Sequence, residues 1–351
     1  MGRFYLYPAA GFQTLRFPIM SVDAFVEWPS FMQIPEEDSV VVPRPKGQAL
    51  SPYIWWNGEI KNAHDQSIHY YANALHYGTA VFEGIRCYPT ANGAALFRLK
   101  DHMERLVGSA RIYGMKLGFS VEELCRGALD VTRQNGVSNA YLRPLAFFGY
   151  GPIDITPKKE CAVNVFIATR ELGYFLGEKA LRNGARLMVS SWRKFPHACL
   201  PTMAKASGHY ANSVLAAHEA YDHGFDDAIL LNQDGTVSST TGGNLFFVRG
   251  HTLYTNDTTS AIVPGITQDS ILTLARDAGV DVSIRAFTRE ELLRADEVFM
   301  TGTAAEVTPV HEIDGIEYRT GKSTLAAQLQ GAYLATVTGR NPAHKEWIAP
   351  V

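Results

Sequence analysis

Hydrophobic and polar positions follow regular periods from about residue 53 onward. The segment YIWWNGEI alternates like two short strands, and Asn57-Gly58 is a dipeptide typical of a tight hairpin turn. Further along, AYLRPLAFFGYG and AVNVFIAT have the apolar runs of strands. Residues 1–50 are rich in proline and aromatic residues but show no such period. We therefore expect an N-terminal extension that packs on the rest of the chain without forming a regular unit.

Two helices are predicted between these strands. Asp101 stands at a position suited to capping a helix, and Glu104 follows at the capping-box position. Ser120 and Glu123 repeat the arrangement, and Gly136 is placed to end the second helix. The first half of the chain thus combines hairpin strands with amphipathic helices.

The second half has the same mixture of elements. In order they are strand ARLMVSSW, helix HYANSVLAAHEAYDHG, two hairpins around Asp234-Gly235 and Arg249-Gly250, a helix after Thr267, a short helix from Thr288, strand EVFM and a last helix from Ser323. Strands interleaved with helices and joined by hairpins predict an α+β fold in two domains. We predict an N-terminal extension at 1–50, a small α+β domain at 51–170, a connector at 171–178 and a large α+β domain at 179–351.

Composition narrows the class of protein. The formal net charge of −3 gives no basic field that would attract nucleic acid or an anionic membrane. No apolar run approaches the roughly 20 residues needed to span a bilayer. The four cysteines are far apart and form no CxxC pair, which argues against zinc and disulfides and favours a reducing compartment. With no basic, apolar leader at the start, we expect a cytoplasmic protein without a metal site.

Lys205 is the lysine with the most unusual surroundings. Eleven lysines occur, and most lie among polar neighbours, whereas Lys205 lies in PTMAKASGHY between a strand and a helix. Small residues on both sides would let a flat, bulky group approach its amine, as covalent amine catalysis requires. An ordinary lysine near a helix start explains the same local pattern.

Two further segments are candidates for ligand contact. In VPGITQDS, Pro264 and Gly265 turn the chain into a helix whose first N–H groups, at Ile266 and Thr267, are suited to a phosphate. A simple capped helix fits equally well. In MTGTAAEVTPV, small residues follow a strand directly, which indicates either exposed backbone beside a ligand or a plain turn.

Two arginines within strand patterns are candidate anion contacts. Arg86 ends HYGTAVFEGIR, whose glycines indicate a bend against a ligand, and it could bind an anion or form a structural ion pair. Arg143 lies in YLRP inside an apolar strand, where burying it requires an anionic partner. That partner could be a substrate carboxylate or an internal Asp or Glu.

As a set, these motifs resemble one family. HYGTAVFEGIR, HMERL, YLRP, PTMAKASGHY, NLFFV, PGITQDSI and ADEVFMTGTAAEVTPV stand in the order and spacing typical of branched-chain amino acid aminotransferases, which have the type IV pyridoxal-phosphate fold. The resemblance runs from about Tyr53 to about Val337 and implies pyridoxal 5'-phosphate as cofactor. It implies transamination between a hydrophobic L-amino acid and a 2-oxo acid such as 2-oxoglutarate, in at least a homodimer whose sites take residues from both subunits.

The resemblance also implies roles for individual residues. Lys205 would hold the cofactor's aldehyde covalently and shuttle a proton, and Tyr210 would hydrogen-bond its phenolic oxygen. The residues that would otherwise contact the cofactor, mainly its phosphate, are Arg105, Ser239, Thr240, Ile266, Thr267 and Thr303. The residues that would line the substrate side are Tyr77, Phe82, Arg86, Tyr141, Arg143, Phe175, Thr303 and Ala304.

One departure bears on the chemistry. The family has a glutamate that hydrogen-bonds the cofactor's pyridine nitrogen, whereas Ser239 occupies that position in GTVSSTTGGNLF. A neutral hydroxyl does not raise the pKa of the ring nitrogen as a carboxylate would, so the ring becomes a weaker electron sink. Three outcomes follow: a slower aminotransferase, a different pyridoxal-phosphate reaction such as a lyase, or a distant acidic residue that fills the gap. A binding protein without catalysis is disfavoured because Lys205, Arg105, Tyr210 and Thr267 are all retained.

Overall fold

The computed structural model describes residues 50–351 other than 158, 159 and 174. The predicted N-terminal extension, apart from its last residue, lies outside the described residues. Within them, strands and helices interleave along the chain and form two separate sheets. The predicted α+β class in two halves is confirmed.

The first sheet belongs mainly to the first half of the chain. Among the described residues its order is β17-β5-β4-β6-β7-β1-β2, with β3 paired to β6. The strands are β1 (Leu50–Trp56), β2 (Glu59–Asn62), β3 (Ala80–Phe82), β4 (Ile85–Thr90), β5 (Gly93–Phe97), β6 (Ala140–Phe148), β7 (Val163–Arg170) and β17 (Ile348–Pro350). The turn between β1 and β2 is Asn57-Gly58, both with positive φ, so the predicted hairpin is confirmed.

Three helices accompany this sheet: α1 (Asn73–Tyr77), α2 (Leu99–Ile112) and α3 (Val121–Asn135). The predicted cap of α3 is confirmed, because Ser120 and Glu123 form a capping box and Gly136 ends the helix in the left-handed conformation. The predicted cap at Asp101 is wrong. Helix α2 begins three residues earlier than predicted, with Arg98 as its cap, and Asp101 lies in the first turn, where it pairs with the Arg98 side chain.

The second sheet has the order β10-β9-β8-β15-β14-β11-β12-β13 within the described part of the chain, with β16 on β15. Its strands are β8 (Ala185–Arg193), β9 (Asp227–Leu231), β10 (Val237–Thr240), β11 (Asn244–Arg249), β12 (Thr252–Thr255), β13 (Asp281–Ile284), β14 (Glu297–Gly302), β15 (Glu306–Ile313) and β16 (Ile316–Glu317). The helices are α4 (Gly177–Asn183), α5 (Tyr210–Asp222), α6 (Ile266–Asp277), α7 (Arg289–Leu293) and α8 (Leu325–Val337).

Most local predictions for this half are confirmed. The hairpins β9–β10 and β11–β12 turn where predicted, and Thr288 caps α7 through a capping box. The last helix is capped by Thr324 instead of Ser323. Strand β17 was not predicted, and it returns the C-terminal residues to the first sheet beside β5. The division into domains at 51–170 and 179–351 stays a prediction. Strand β17 belongs to the second of these ranges but pairs with a strand of the first.

The backbone around Lys205 is attached to the first sheet. The Phe82 N–H donates to the Lys205 carbonyl at 3.0 Å, and Val81 and Ala206 form an isolated bridge. On the other side, the Lys205 N–H donates to the Ser109 hydroxyl of α2 at 3.1 Å. Strand β3 and helix α2 therefore hold the lysine's main chain in place between the two halves.

A close approach of two glycines completes this attachment. Gly78 ends α1 with φ +66°, and its carbonyl accepts from the Gly208 N–H at 3.2 Å. The predicted strand pattern over HYGTAVFEGIR is wrong in its first residues. His76 and Tyr77 lie in α1, and the strand begins only at Ala80, because the left-handed Gly78 breaks the helix there.

Gly78→Ala should destabilise the protein more than left-handed strain alone explains. A Cβ on Gly78 would lie 2.9 Å from the Gly208 Cα. Gly136 has nearly the same backbone, φ +61°, but open space around it, so Gly136→Ala is the matched control. In chemical unfolding we expect the control to lose about 1 kcal/mol and Gly78→Ala to lose roughly 1–3 kcal/mol more. Equal losses would contradict the contact.

Candidate active site

The amine of Lys205 lies at the bottom of a cleft between the two sheets. Its Nζ donates to the Tyr210 hydroxyl at 2.6 Å and lies 4.9 Å from the centre of the Phe82 ring. Phe82 also contacts the Tyr210 ring, with 4.9 Å between centroids. Lys205 is only partly exposed, and Ala204 and Ala206 beside it are fully buried. The amine is therefore held by one hydrogen bond next to small residues, as its sequence context predicts.

The cleft is open to solvent. One end is formed by the start of α6, where Ile266 and Thr267 are buried at the cleft wall. Their N–H groups are in the first turn and have no partner within the helix, so the positive end of α6 faces this space. Thr303, at the end of β14, lines the same end. The structure thus brings the predicted phosphate contacts together at one end of the cleft.

Arg105 lies beside this end and is fixed by Glu83. Its Nε and Nη2 donate to the two Glu83 carboxylate oxygens at 2.6 and 2.8 Å, and its Nη1 donates to the Pro264 carbonyl at 2.6 Å. Two of its five N–H groups remain free for an anion in the cleft. Helix α2 supplies Arg105 and the buried His102, whose Nδ1 is 2.7 Å from Glu83.

Electrostatics keep this cluster charged although it is buried. Burial would raise the pKa of Glu83, but the Arg105 charge and its hydrogen bonds hold that pKa well below its usual range. Burial would likewise lower the pKa of Arg105, and the Glu83 carboxylate raises it instead. Burial lowers the pKa of His102, so the imidazole is neutral and serves as a hydrogen-bond partner.

The predicted substrate side is partly assembled around Lys205. The Arg143 guanidinium lies 4.5 Å from the Phe82 ring centre and donates to the Tyr141 hydroxyl at 3.3 Å. Gly84 lets Tyr141 approach, because a Cβ there would lie 1.8 Å from its hydroxyl. Arg143 is exposed and has no carboxylate partner among the described residues. It is therefore available to a substrate anion.

Four of the predicted substrate residues lie elsewhere. Tyr77 is exposed at the end of α1, and Phe175 and Ala304 share a small separate recess. Arg86 is fully buried, 4.0 Å from the Glu306 carboxylate and over the Tyr88 ring. Of the two alternatives that the sequence left open for Arg86, its position favours the structural ion pair over a ligand contact.

Hydroxyl groups form the wall of the cleft along β10 and its turn. Ser239, Thr240 and Thr241 all line it, with Ser239 nine-tenths buried. Among the described residues no Asp or Glu lines the cleft. Asp227 lies behind the wall and accepts from the Thr241 hydroxyl at 2.6 Å. Burial raises the pKa of Asp227, which favours its neutral form.

Sequence reasoning missed several residues of this site. Glu83 and His102 stood in quoted motifs, but the ion pair that fixes Arg105 was not predicted. Lys194, a second lysine of the cleft, and His209, whose Nε2 is 2.9 Å from the Tyr113 hydroxyl, were also missed. The local signal for Glu83 was a glutamate between two apolar strand segments, but its partner Arg105 lies 22 positions further along the chain.

The family of this fold is established by comparison with known proteins. Residues 80–313 match the model of the amino-transferase class IV family. The chain belongs to this family, and it is a pyridoxal-phosphate-dependent aminotransferase. It is 42% identical over 300 residues to the branched-chain-amino-acid aminotransferase of Salmonella typhimurium, which covers 85% of this chain and 97% of that protein. The corresponding enzyme of Pseudomonas aeruginosa is 39% identical over 295 residues, which is 84% of this chain and 95% of the relative.

Solved structures agree with the sequence relatives. The branched-chain amino acid aminotransferase of Escherichia coli superposes with a TM-score of 0.83 at 41% identity, covering 85% of this chain and 99% of that one. The branched-chain amino acid aminotransferase of Thermobaculum terrenum, in its pyridoxal-phosphate holo form, gives 0.80 at 35% identity, covering 86% and 98%. These matches do not favour the alternative of a lyase.

Glu83→Gln should destabilise the protein strongly, because it leaves Arg105 buried without its counter-charge. We expect a loss of roughly 3–5 kcal/mol in the free energy of unfolding at neutral pH. Glu312→Gln is the matched control. Its bidentate pair with Arg186 is at the surface, and it should lose less than about 1 kcal/mol.

The pH dependence of unfolding tests whether the charge of Glu83 causes this loss. Because the folded state lowers the pKa of Glu83, its stabilisation is complete above the ordinary value of 4.5 and declines as the pH falls below it. The difference in unfolding free energy between the wild type and Glu83→Gln should therefore shrink in acid. A difference that grows below that pH would contradict the ion pair.

Proposed function

We propose that the enzyme transfers the amino group of a hydrophobic, branched-chain-like L-amino acid to a 2-oxo acid such as 2-oxoglutarate. The observation that carries this proposal is the position of Lys205. Its amine lies between an anion site at α6 and a free arginine, Arg143. A phosphate and a carboxylate on opposite sides of one amine are what a phosphorylated cofactor and an amino acid require. The named substrates of the relatives support the choice of side chain.

Pyridoxal phosphate, when bound, supplies an aldehyde for the amine and a conjugated ring that takes up electrons. We assign the phosphate to Arg105, Thr303 and the N–H groups of Ile266 and Thr267. Tyr210 orients the Lys205 amine by accepting a 2.6 Å hydrogen bond from Nζ, which fixes the direction of one N–H of the amine. With the cofactor bound, Lys205 would be the base that takes the proton from the substrate Cα.

The substrate is oriented by charge on one side and by apolar contact on the other. Arg143 and Tyr141 bind the carboxylate, since the guanidinium is exposed and the hydroxyl lies beside it. The Phe82 ring packs against both the Arg143 guanidinium and the Lys205 amine. The hydrophobic side chain would pack against this aromatic floor.

We propose that the working unit is a homodimer. The exposed aromatic and aliphatic residues Tyr70, Tyr71, Leu75, Tyr77, Tyr150, Ile153 and Ile155 form one patch around α1. Ring contacts connect it, with His69 4.3 Å from Tyr70 and 4.6 Å from Tyr150. A contiguous apolar patch of this kind marks a protein contact. Closure of this face by a second copy would place Tyr77 at a subunit boundary near the cleft.

We also propose a cytoplasmic location. Cys87, Cys125, Cys161 and Cys199 are all free thiols. Unpaired cysteines, one of them exposed, are typical of a reducing compartment.

The first half-reaction tests the function. We expect holoenzyme incubated with leucine alone to yield one equivalent of oxo acid and pyridoxamine phosphate, and then to stop. Lys205→Ala should lose both the visible absorbance and this turnover. Lys100→Ala, an exposed lysine of α2, is the control and should behave as wild type. Continued turnover without an acceptor, or full activity in Lys205→Ala, would contradict the proposal.

A further inference from the structure

Lys194 is a second amine in the cleft, and the proposed function does not use it. It follows β8, lines the same space as Lys205, and is 9% exposed. Its Nζ lies 4.9 Å from the Phe195 ring centre. Among the described residues it has no hydrogen-bond acceptor and no carboxylate partner. Lys194 is nine-tenths buried at the wall of the cleft, and its amine is therefore placed to donate to a ligand there.

The place of Lys194 in the sheet identifies the part of the ligand that it faces. Its N–H donates to the Leu231 carbonyl at the end of β9, and Leu230 pairs with Ser239 on β10. Beyond Ser239 the turn leads to Asn244, whose Oδ1 would lie 2.1 Å from a Cβ on Gly265. The order across the wall is therefore Lys194, β9, Ser239, Asn244 and then the start of α6. Lys194 and the phosphate site lie on opposite sides of Ser239.

Cofactor chemistry then restricts the acceptor. With the phosphate at α6 and the aldehyde carbon at Lys205, the pyridine nitrogen would lie across the ring from Lys205. The resemblance to the family places Ser239, which lines the cleft, on that side. The phenolic oxygen is next to the aldehyde, where Tyr210 bonds Lys205. The nitrogen is thus the ring acceptor left for the Lys194 side of the cleft.

We propose that Lys194 faces the pyridine nitrogen of the bound cofactor and keeps it unprotonated, as a positively charged hydrogen-bond donor. The inference rests on the proposed binding of the cofactor at Lys205. Amines are stronger bases than pyridines, so the shared proton stays on Lys194. Ser239 fits this arrangement because its neutral hydroxyl brings no negative charge that would favour a proton on the nitrogen.

The other basic groups of the cleft do not favour a proton on the ring nitrogen either. Lys205 and Arg105 are basic, and the charge of Arg105 is offset by Glu83 outside the wall. His209 lies near Lys194, and burial together with the Lys194 charge lowers the pKa of its imidazole. Burial and the Lys205 charge lower the pKa of Lys194 to about 8, so it remains mostly protonated at neutral pH. Asp227 is behind Thr241 and is the nearest carboxylate that could oppose this, but burial favours its neutral form.

The test is the protonation of the ring nitrogen itself. Holoenzyme is reconstituted with cofactor carrying nitrogen-15 in the ring, and the nitrogen-15 resonance is followed across pH by nuclear magnetic resonance. We expect the wild type to show an unprotonated pyridine at neutral pH. In Lys194→Met the midpoint for protonation should rise by about 1–3 pH units, the range that one nearby charge produces. Lys194→Arg keeps the charge and should leave the midpoint close to wild type.

Two further measurements keep the outcomes separate. Visible absorbance and thermal unfolding show whether each variant is folded and loaded, and Ser239→Glu should also raise the midpoint if the nitrogen faces this wall. A protonated ring in the wild type at neutral pH, or a loaded Lys194→Met with an unchanged midpoint, would overturn the inference alone. Absence of any visible band in the wild type would overturn the binding of the cofactor and the inference with it.

Discussion

The structure depends on the attachment of one short segment, the residues around Lys205, to the edge of the other sheet. The Phe82 N–H and the Ser109 hydroxyl hydrogen-bond the main chain of Lys205 from two sides, and the bond from the Gly208 N–H to the Gly78 carbonyl fixes the residues that follow. Covalent chemistry at an amine requires that the amine be held still, and a lysine side chain is otherwise flexible. The two halves of the chain therefore meet at the lysine that we propose for the reaction, and Gly78 is the residue that allows the contact.

The second constraint is charge. The cleft is lined by Arg105, Lys194 and Lys205 and, among the described residues, by no Asp or Glu, which suits the anionic ligands that we propose. Glu83 offsets the positive charge of Arg105 by pairing with it behind the wall. There it orients the arginine without competing for the ligand. In the proposed arrangement, Ser239 likewise adds no negative charge beside the pyridine nitrogen of the cofactor. The site favours anion binding and a neutral ring nitrogen over maximal electron withdrawal.

Local pattern predicted the parts of the fold that local chemistry decides. The turn at Asn57-Gly58 and the capping box at Ser120 are set by residues within a few positions of each other. The wrong cap at Asp101 shows the limit. Helix α2 starts earlier because Arg98 is held by the Trp347 carbonyl and by Asp269, both far away in sequence.

The same distinction between nearby and distant partners in the sequence applies to the site. Lys205, Tyr210, Arg105 and the start of α6 could be found from motifs, because each is tied to a recognisable segment. Lys194 could not, since its sequence neighbours Arg193 and Phe195 give no sign of burial. Its environment arises only when β8, β9 and β10 are placed side by side. Arg86 looked like a ligand contact for the same reason, because its partner Glu306 is more than two hundred residues away.

The central claim is that Lys205, and not the neighbouring amine of Lys194, holds the cofactor. Reduction of the holoenzyme with borohydride makes that linkage permanent, and digestion followed by mass spectrometry locates it. We predict a single phosphopyridoxyl group on the peptide that contains PTMAKASGHY, with the peptide of Lys194 unmodified. A label on Lys194, or on any peptide without Lys205, would contradict the account.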